Sequence, residues 1–322
     1  MQRLHPLQEV PDLAELRATH AAIAYLIHHT PVMTNAYLDQ ITGAALFFKC
    51  ENFQKVGAFK MRGAASAALR LSETEKVRGF ATHSSGNHAQ AVARAARELG
   101  VPAYVVMPEN APASKRAATA GYGAEIITCA PTIESRETTL EAVVARTGAT
   151  FIHPFNDYNV IAGQASATLE LIDTTAGELD VIMAPIGGGG LMSGTALATK
   201  YLLPTAKVYG TEPREVDDAW RSMKSGRIEH NTTINTIADG LRTNLGEKTF
   251  DIIQRHVDDI FTVTEEAIVE AMRIVWERMK IIIEPSSAVP LAAVLSNKAI
   301  FQGKRVGIIV TGGNVDLKNL PF

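Results

Sequence analysis

The sequence predicts an α/β protein built on parallel sheets, in two lobes that meet at a cleft. Three observations carry this. Short β-rich runs alternate with helical runs from residue 79 onward, the pattern of strand–helix–strand units with helices on both faces of a parallel sheet. The 322 residues exceed what one hydrophobic core usually absorbs. Apolar residues make up 46% and charged residues 20%, the balance of a folded globular chain.

In chain order, Gly79–Thr82 reads as a strand and His88–Leu99 as an alanine-rich helix closed by Gly100. Ala103–Met107 is a strand, and Pro112–Ala120 a helix ended by Gly121. Ala124–Cys129 is the next strand, Thr132–Arg146 a helix ended by Gly148, and Thr150–His153 starts the pattern again. Residues 71–157 therefore form a small α/β lobe, and residues 1–70 with 158–322 a larger one. In the larger lobe Val181–Pro185 is an apolar strand, Leu191–Tyr201 a helix and Val208–Thr211 a strand. Arg221–Asn231 is polar and less regular. Ile260–Val263 and Val306–Val310 read as strands. Glu265–Lys280 reads as one helix, with Ile268, Met272, Val275 and Met279 at helical spacing. A cleft between lobes is the usual place for a ligand.

Lys plus Arg number 31 against 34 Asp plus Glu, a net charge of −3, so no global field draws in nucleic acid or an anionic membrane. The two cysteines, Cys50 and Cys129, lack a CxxC spacing; this points to a reducing compartment and away from a thiolate metal site. Met1–Glu9 has no apolar core of a secretory signal. Val181–Ala198, the most apolar long stretch, is broken by Pro185 and a glycine run. The expectation is a soluble cytoplasmic protein acting on a small molecule.

Three segments carry chemistry on their own residues. Gly187-Gly188-Gly189-Gly190 lies between a strand and a helix, where backbone N–H groups converge on a phosphate-sized anion at the positive helix end. A tight turn alone rarely needs four glycines. The spacing is neither GxGxxG nor a Gly-Lys-Ser/Thr P-loop, so a dehydrogenase fits poorly. Lys60 stands in Gly57-Ala58-Phe59-Lys60-Met61-Arg62-Gly63-Ala64. A lone lysine is usually solvated, but these small, apolar flanks would desolvate the ammonium and lower its pKa toward a usable amine. Ser84-Ser85-Gly86-Asn87-His88 follows a strand and opens a helix. Such residues serve first as helix caps, and two hydroxyls with an amide at a strand's C-terminal end also suit a ligand crevice.

Together these segments resemble the fold-type II pyridoxal-phosphate enzymes (tryptophan synthase β-like), in particular the serine/threonine dehydratase and serine racemase group. The match runs from His29-Thr30-Pro31 to Asn314-Val315-Asp316-Leu317 and includes Phe48-Lys49-Cys50-Glu51-Asn52 and the Lys60 segment. It continues through Ser84 to Gln90, Met107-Pro108, Tyr122-Gly123-Ala124-Glu125, Ile161-Ala162-Gly163-Gln164, the tetraglycine and Ile237-Ala238-Asp239-Gly240. The order and spacing of these motifs carry the resemblance.

The resemblance implies pyridoxal 5'-phosphate in the cleft, held by the larger domain. Lys60 would form the Schiff base, Phe59 would pack on the ring, and Asn87 would meet the ring's 3-hydroxyl. Gly187, Gly188, Gly189 and Gly190 with Leu191 would hold the phosphate. Thr311, in Thr311-Gly312-Gly313-Asn314, occupies the position facing the pyridine nitrogen. A neutral hydroxyl need not hold that nitrogen protonated, which makes the ring a milder electron sink. The implied reaction is removal of the α-proton by Lys60, loss of the β-hydroxyl, and hydrolysis to a 2-oxo acid and ammonia. Serine, threonine and 3-hydroxyaspartate are the candidate substrates, with Ser84 and its neighbours binding the substrate carboxylate.

Several residues refine this. Ser85 stands where plain threonine dehydratases tend to have Ala and racemase-like members Ser. It reads either as the second acid/base of a serine racemase or as a carboxylate-binding hydroxyl. Ala58 also departs from the Ser of many members. Arg136, in Glu134-Ser135-Arg136-Glu137, reads as a surface arginine paired with Glu. By resemblance it reaches the site with His83 and binds a distal carboxylate. Glu212, the Val216 carbonyl and Asp218 match a divalent-cation site of the racemase-like group, suited to Mg²⁺ or Ca²⁺ with Mn²⁺ a further candidate. As a charged run after a strand, the same segment reads as a solvated loop. Thr243 falls near the substrate, with Arg242 a second carboxylate partner. Glu284 is expected near the ring, with Ser287 replacing the Gly of the family's Glu-Pro-Ser-Gly-Ala. No C-terminal regulatory domain is expected, and a homodimer is. A binding module without catalysis is the contrasting reading; Lys60 separates the two, since a Schiff base would make the protein yellow.

Overall fold

Alternation of side chains along the strands sorts the apolar residues onto the two faces of a central sheet. The computed structural model describes residues 4–322; Met1–Arg3, at the head of the segment read for a secretory signal, lie outside the described residues. The strands are β1 (Val32–Met33), β2 (Ala45–Cys50), β3 (Phe80–His83), β4 (Ala103–Pro108) and β5 (Glu125–Cys129). They continue as β6 (Thr150–Phe151), β7 (Val181–Pro185), β8 (Lys207–Pro213), β9 (Asp259–Val263) and β10 (Arg305–Val310). One sheet has six strands in the order β1-β2-β10-β7-β8-β9, and the other four in the order β5-β4-β3-β6. All neighbours pair in parallel except β1, which runs antiparallel to β2.

In β7 every residue is buried, as expected for a strand covered on both faces. Met183 and Ile308 face one core with Val289 and Leu291 of the helix Pro285–Ser296. Ile182 and Ile309 face the other, with Leu171 and Met192 of the helices Tyr158–Thr174 and Gly190–Leu202. In the second sheet, Ala91, Val92 and Ala95 of the helix Asn87–Leu99 pack on Phe80 and Ala103. That helix ends at Gly100, whose φ of 68° lies in the left-handed region.

The structure departs from the sequence pattern in three places. The strand–helix alternation starts only at residue 79, yet β1, β2 and the helices Leu13–Ile23 and Lys60–Arg70 form before it. Arg221–Asn231 is polar and less regular in sequence, but Asp218–Ser225 is a helix closed by Gly226 at φ 73°. Its polar surface hides a stripe of only Asp218, Ala219 and Ser222 toward the interior. The Glu265–Lys280 helix is α-helical to Ile274 and then widens into a π turn over Val275–Met279. Trp276 Nε1–H donates to the Ile283 carbonyl at 3.1 Å there. No helix among the described residues is long and apolar enough to cross a membrane.

Candidate active site

Parallel strands direct their C-terminal ends to one edge of each sheet, and the chemistry-bearing residues collect at those ends. Thr311 follows β10, the tetraglycine follows β7, and His83 ends β3. Lys60 and Asn87 each begin a helix. The Lys60 loop is stitched to the Thr311 loop: Phe59 N–H donates to the Thr311 carbonyl at 2.9 Å, and Gly313 N–H to the Gly57 carbonyl at 3.0 Å. Val56 sits at φ 59°, a strained setting for a β-branched residue. Asn314 Nδ2 holds its carbonyl at 2.7 Å.

Below Lys60 the helix is anchored by charge. Arg62 is fully buried; its Nε donates to Glu51 Oε2 and its Nη1 to Glu170 Oε1, both at 2.7 Å. Lys49 Nζ reaches Glu170 Oε2 and the Thr30 carbonyl, each at 2.6 Å. Burial alone would raise the Glu170 pKa, but hydrogen bonds from His20 and Arg62 hold it well below the usual carboxylate range.

Lys60 Nζ donates to the Pro154 carbonyl at 2.8 Å and lies 5.2 Å from the centroid of the Phe59 ring. Burial lowers its pKa from 10.5 to about 8, opposed by the negative charge of Glu284. His153 shapes the segment that carries Pro154. Its Nδ1 accepts from Phe155 N–H at 3.1 Å and Asn156 N–H at 2.8 Å. Burial, with cationic neighbours, takes the His153 pKa to about 4, so the ring is neutral.

Asn87 Nδ2 donates to both Glu284 oxygens, at 3.0 and 3.1 Å, and Asn87 Oδ1 accepts from Asn314 Nδ2 at 2.9 Å. Burial and the nearby charge of Asp239 push the Glu284 carboxyl up to about 7, while the Asn87 bond opposes this. Ser287, 2% exposed, bonds Thr311 Oγ1 at 2.8 Å. The helix Pro285–Ser296 starts normally with serine in that place.

The tetraglycine leaves no room for side chains. A Cβ on Gly188 would lie 2.2 Å from the Phe155 ring, one on Gly187 2.9 Å from the Gly240 carbonyl, and Gly189 sits at φ 87°. The helix Gly190–Leu202 starts with no side-chain cap, which leaves its first N–H groups for an anion. Thr243 Oγ1 stands here, 3.3 Å from the Cβ that Gly187 lacks. Leu191 is buried in the same turn. An amine of lowered pKa, a backbone anion cradle, and a buried hydroxyl and amide form a donor set that fits pyridoxal phosphate.

Ser84 Oγ accepts from Gly86 N–H at 3.2 Å, whereas the Ser85 hydroxyl has no hydrogen-bond partner among the described residues. His83 stacks on Phe151 with centroids 5.7 Å apart. Burial lowers its pKa; Glu137 opposes this and Arg136 adds to it, so Arg136 lies close enough to His83 to be felt. Arg136 Nε is buried without a hydrogen-bond partner, and no ion pair joins this arginine to a glutamate among the described residues. Arg242, considered for a substrate carboxylate, donates instead to the Thr236 carbonyl, at 3.2 Å from Nε and 2.6 Å from Nη2.

Glu212 and Asp218 are buried rather than solvated in a loop. Glu212 accepts from Ala219 N–H at 3.1 Å and Trp220 N–H at 2.8 Å; Asp218 accepts from Asn231 Nδ2 at 2.7 Å and Leu245 N–H at 3.0 Å. Val216 is buried between them in sequence. Among the described residues no group of three or more His, Cys, Asp or Glu side chains could hold a metal ion.

The Pro154 carbonyl, His153 and the double contact of Asn314 carry no local sequence signal; Asn314 lies in the Thr311-Gly312-Gly313-Asn314 motif, but its partner Asn87 is 227 residues away.

Comparison with known proteins agrees with pyridoxal phosphate as the cofactor. Residues 23–312 match the pyridoxal-phosphate dependent enzyme family. Over 97% of its length the chain is 48% identical to the beta-hydroxyaspartate dehydratase of Paracoccus denitrificans, covering 99% of that enzyme. It is 46% identical to the L-threo-3-hydroxyaspartate ammonia-lyase of Saccharomyces cerevisiae, over 96% of this chain and 95% of that one. The crystal structure of serine racemase from Dictyostelium discoideum superposes with a TM-score of 0.91 at 48% identity, over 95% of this chain and 99% of that one. On the family match over residues 23–312, these identities and the shared fold, the chain belongs to the pyridoxal-phosphate-dependent enzyme family of fold type II.

Proposed function

We propose that the chain eliminates water from a β-hydroxy amino acid that carries a second carboxylate, 3-hydroxyaspartate, giving a 2-oxo acid and ammonia. The observation that carries this is Arg136: half-buried, with its Nε buried and unpartnered and its charge felt at His83, it is placed to pair with an anion. The two hydroxyaspartate-acting relatives support the same substrate class.

Bound pyridoxal phosphate supplies an electron sink that acidifies the α-hydrogen of an attached amino acid. Lys60 would carry the cofactor and would serve as the base for that hydrogen, since a pKa of about 8 leaves it a usable base near neutrality. Phe59 would pack on the ring, Asn87 would meet its 3-hydroxyl, and Thr311 would face its nitrogen. Gly187 to Gly190 with Leu191 hold the phosphate, and Thr243 lies beside them. Ser84 and Ser85, with N–H groups at the start of the helix Asn87–Leu99, hold the α-carboxylate. His83 and Arg136 hold the distal one. Residues 71–157 make a small domain, and residues 1–70 with 158–322 a large domain that holds the cofactor; the membership of the two sheets supports this division.

The second reading is serine racemase, favoured by one observation: the Ser85 hydroxyl is unengaged and so free to trade a proton with substrate. Incubating the cofactor-loaded enzyme with stereoisomers of 3-hydroxyaspartate, serine and threonine, and following 2-oxo acid and chirality together, separates the readings. The elimination reading expects 2-oxo acid fastest from one 3-hydroxyaspartate isomer. Enantiomer accumulating faster than 2-oxo acid makes the enzyme a racemase.

A divalent cation, Mg²⁺, Ca²⁺ or Mn²⁺, bound by Glu212, the Val216 carbonyl and Asp218 forms part of the same proposal. Two buried carboxylates are the supporting feature: burial raises the pKa of both, and the charge of Asp218 adds to the rise at Glu212. Chelation is expected to lower the melting temperature; unchanged melting and activity after chelation count against the cation. We further propose a homodimer in the cytoplasm. The family supports the dimer, and the free, buried Cys50 and Cys129 support a reducing compartment.

A further inference from the structure

The hydroxyl of Ser287 is packed against that of Thr311, and the bonds around it decide which way the Thr311 proton points. Ser287 lies in the first turn of the helix Pro285–Ser296, and both residues are buried. Ser287 Oγ has three partners at 2.8 Å: Gly312 N–H, the Gly312 carbonyl and Thr311 Oγ1. A serine hydroxyl offers one proton and two lone pairs. Gly312 N–H can only donate, so it fills one lone pair. The Gly312 carbonyl can only accept, so it takes the Ser287 proton. Thr311 must then donate to the second lone pair. Its proton is spent inward, and it presents only lone pairs on its other side.

The opposite orientation has Ser287 donating to Thr311, which frees the Thr311 proton to point away. It forfeits the bond from Ser287 to the Gly312 carbonyl. That carbonyl also accepts from Glu284 N–H at 3.0 Å, so it is not orphaned. The bias between the two arrangements is therefore the worth of one net hydrogen bond, enough to matter and small enough to titrate.

We propose that Ser287 is a positioning residue that holds the Thr311 hydroxyl as an acceptor and thereby favours a protonated nitrogen on the cofactor ring. The inference rests on the reading above that Thr311 faces that nitrogen. A threonine alone is indifferent, donating to a neutral pyridine nitrogen or accepting from a protonated one. Ser287 removes the indifference without placing a carboxylate beside the ring. The ring is then a stronger electron sink than a bare hydroxyl neighbour would make it. This reverses the milder sink expected from Thr311 alone.

The test follows the ring nitrogen by NMR in holoenzyme loaded with pyridoxal phosphate isotopically labelled at that atom, across a pH series. The wild type, Ser287→Ala, Thr311→Val, Thr311→Ser and the Ser287→Ala/Thr311→Val double variant are compared. Ser287→Ala is expected to lower the nitrogen's pKa by about one unit, a tenfold change in its protonation equilibrium. Thr311→Ser should titrate as the wild type, and the double variant as Thr311→Val alone. If Thr311→Val shifts the titration and Ser287→Ala does not, Ser287 has no such role and the inference is overturned. If neither substitution moves it, Thr311 does not face the nitrogen, and both that assignment and the inference fall. Should Ser287→Ala fail to retain cofactor, Ser287→Gly carries the same measurement.

Discussion

Lys60 lies under two opposing influences, the burial that lowers its pKa to about 8 and the Glu284 carboxylate that resists this. Below that value the amine is protonated and above it the free base. Capture of pyridoxal phosphate by cofactor-free protein should therefore speed up about tenfold per pH unit below pH 8 and level off above it. Stopped-flow absorbance measures this; a rate still climbing toward pH 10 would mean an ordinary, solvated lysine. Glu284 behaves in the opposite sense. Its folded pKa of about 7 exceeds its ordinary 4.5, so its contribution to stability is complete below 4.5 and is lost as pH rises through 7. Glu284→Gln should flatten the fall in stability of the cofactor-free protein across that window by up to about 3 kcal/mol. Parallel denaturation curves for the two proteins at every pH would contradict it. At this scale Lys60, Asn87 and the tetraglycine were legible because each sits in a short local pattern. The Asn87–Glu284–Asn314 network was not, because its members meet only when distant strands and helices align.

The helix Lys60–Arg70 positions its first residue by burying Arg62 two residues later between Glu51 and Glu170. The penalty for taking these charges from water has been met by mutual pairing, so removing one partner leaves the others uncompensated. Arg62→Ala should destabilise the protein by about 3–5 kcal/mol, with little salt dependence because the pairs are screened from solvent. A loss below about 1 kcal/mol, the range of exposed pairs, would show that the cluster does not anchor the helix. The glycine turn offers a sharper case. Gly188→Ala puts a methyl into the Phe155 ring, so pyridoxal phosphate affinity should fall at least tenfold while the fold survives; unchanged affinity would mean that Phe155 moves aside freely. The strands from β3 onward were readable because apolar runs alternate with alanine-rich helices and glycine stops. β2 was not read as a strand because it and its flank carry Lys49 and Glu51, charges buried by pairing that look like surface residues in a linear reading.

Both sheets offer the C-terminal ends of their strands to the site, so neither alone holds the full set of donors. Asn87 comes from the four-stranded side and Glu284 from the six-stranded side, and their hydrogen bond joins the two. Lys115 and Asp239 form a second bridge, an ion pair between the helix Ala113–Gly121 and the turn at Asp239–Leu241. The two-sheet architecture and the identity of the cofactor could be anticipated from motif order. Substrate choice could not: Arg136 reads as a surface residue paired with glutamate or as a partner for a distal carboxylate, and its half-buried side chain with a buried, unpartnered Nε supports the second reading. The most direct measurement of the account is kcat/KM for 3-hydroxyaspartate and for serine, in wild type and Arg136→Ala. Loss of a charge-assisted bond worth about 1.5–3 kcal/mol predicts a fall of about 10- to 150-fold on 3-hydroxyaspartate, with serine turnover nearly unchanged. Equal losses on both substrates would contradict the assignment of Arg136 to a distal carboxylate, and with it the proposed substrate.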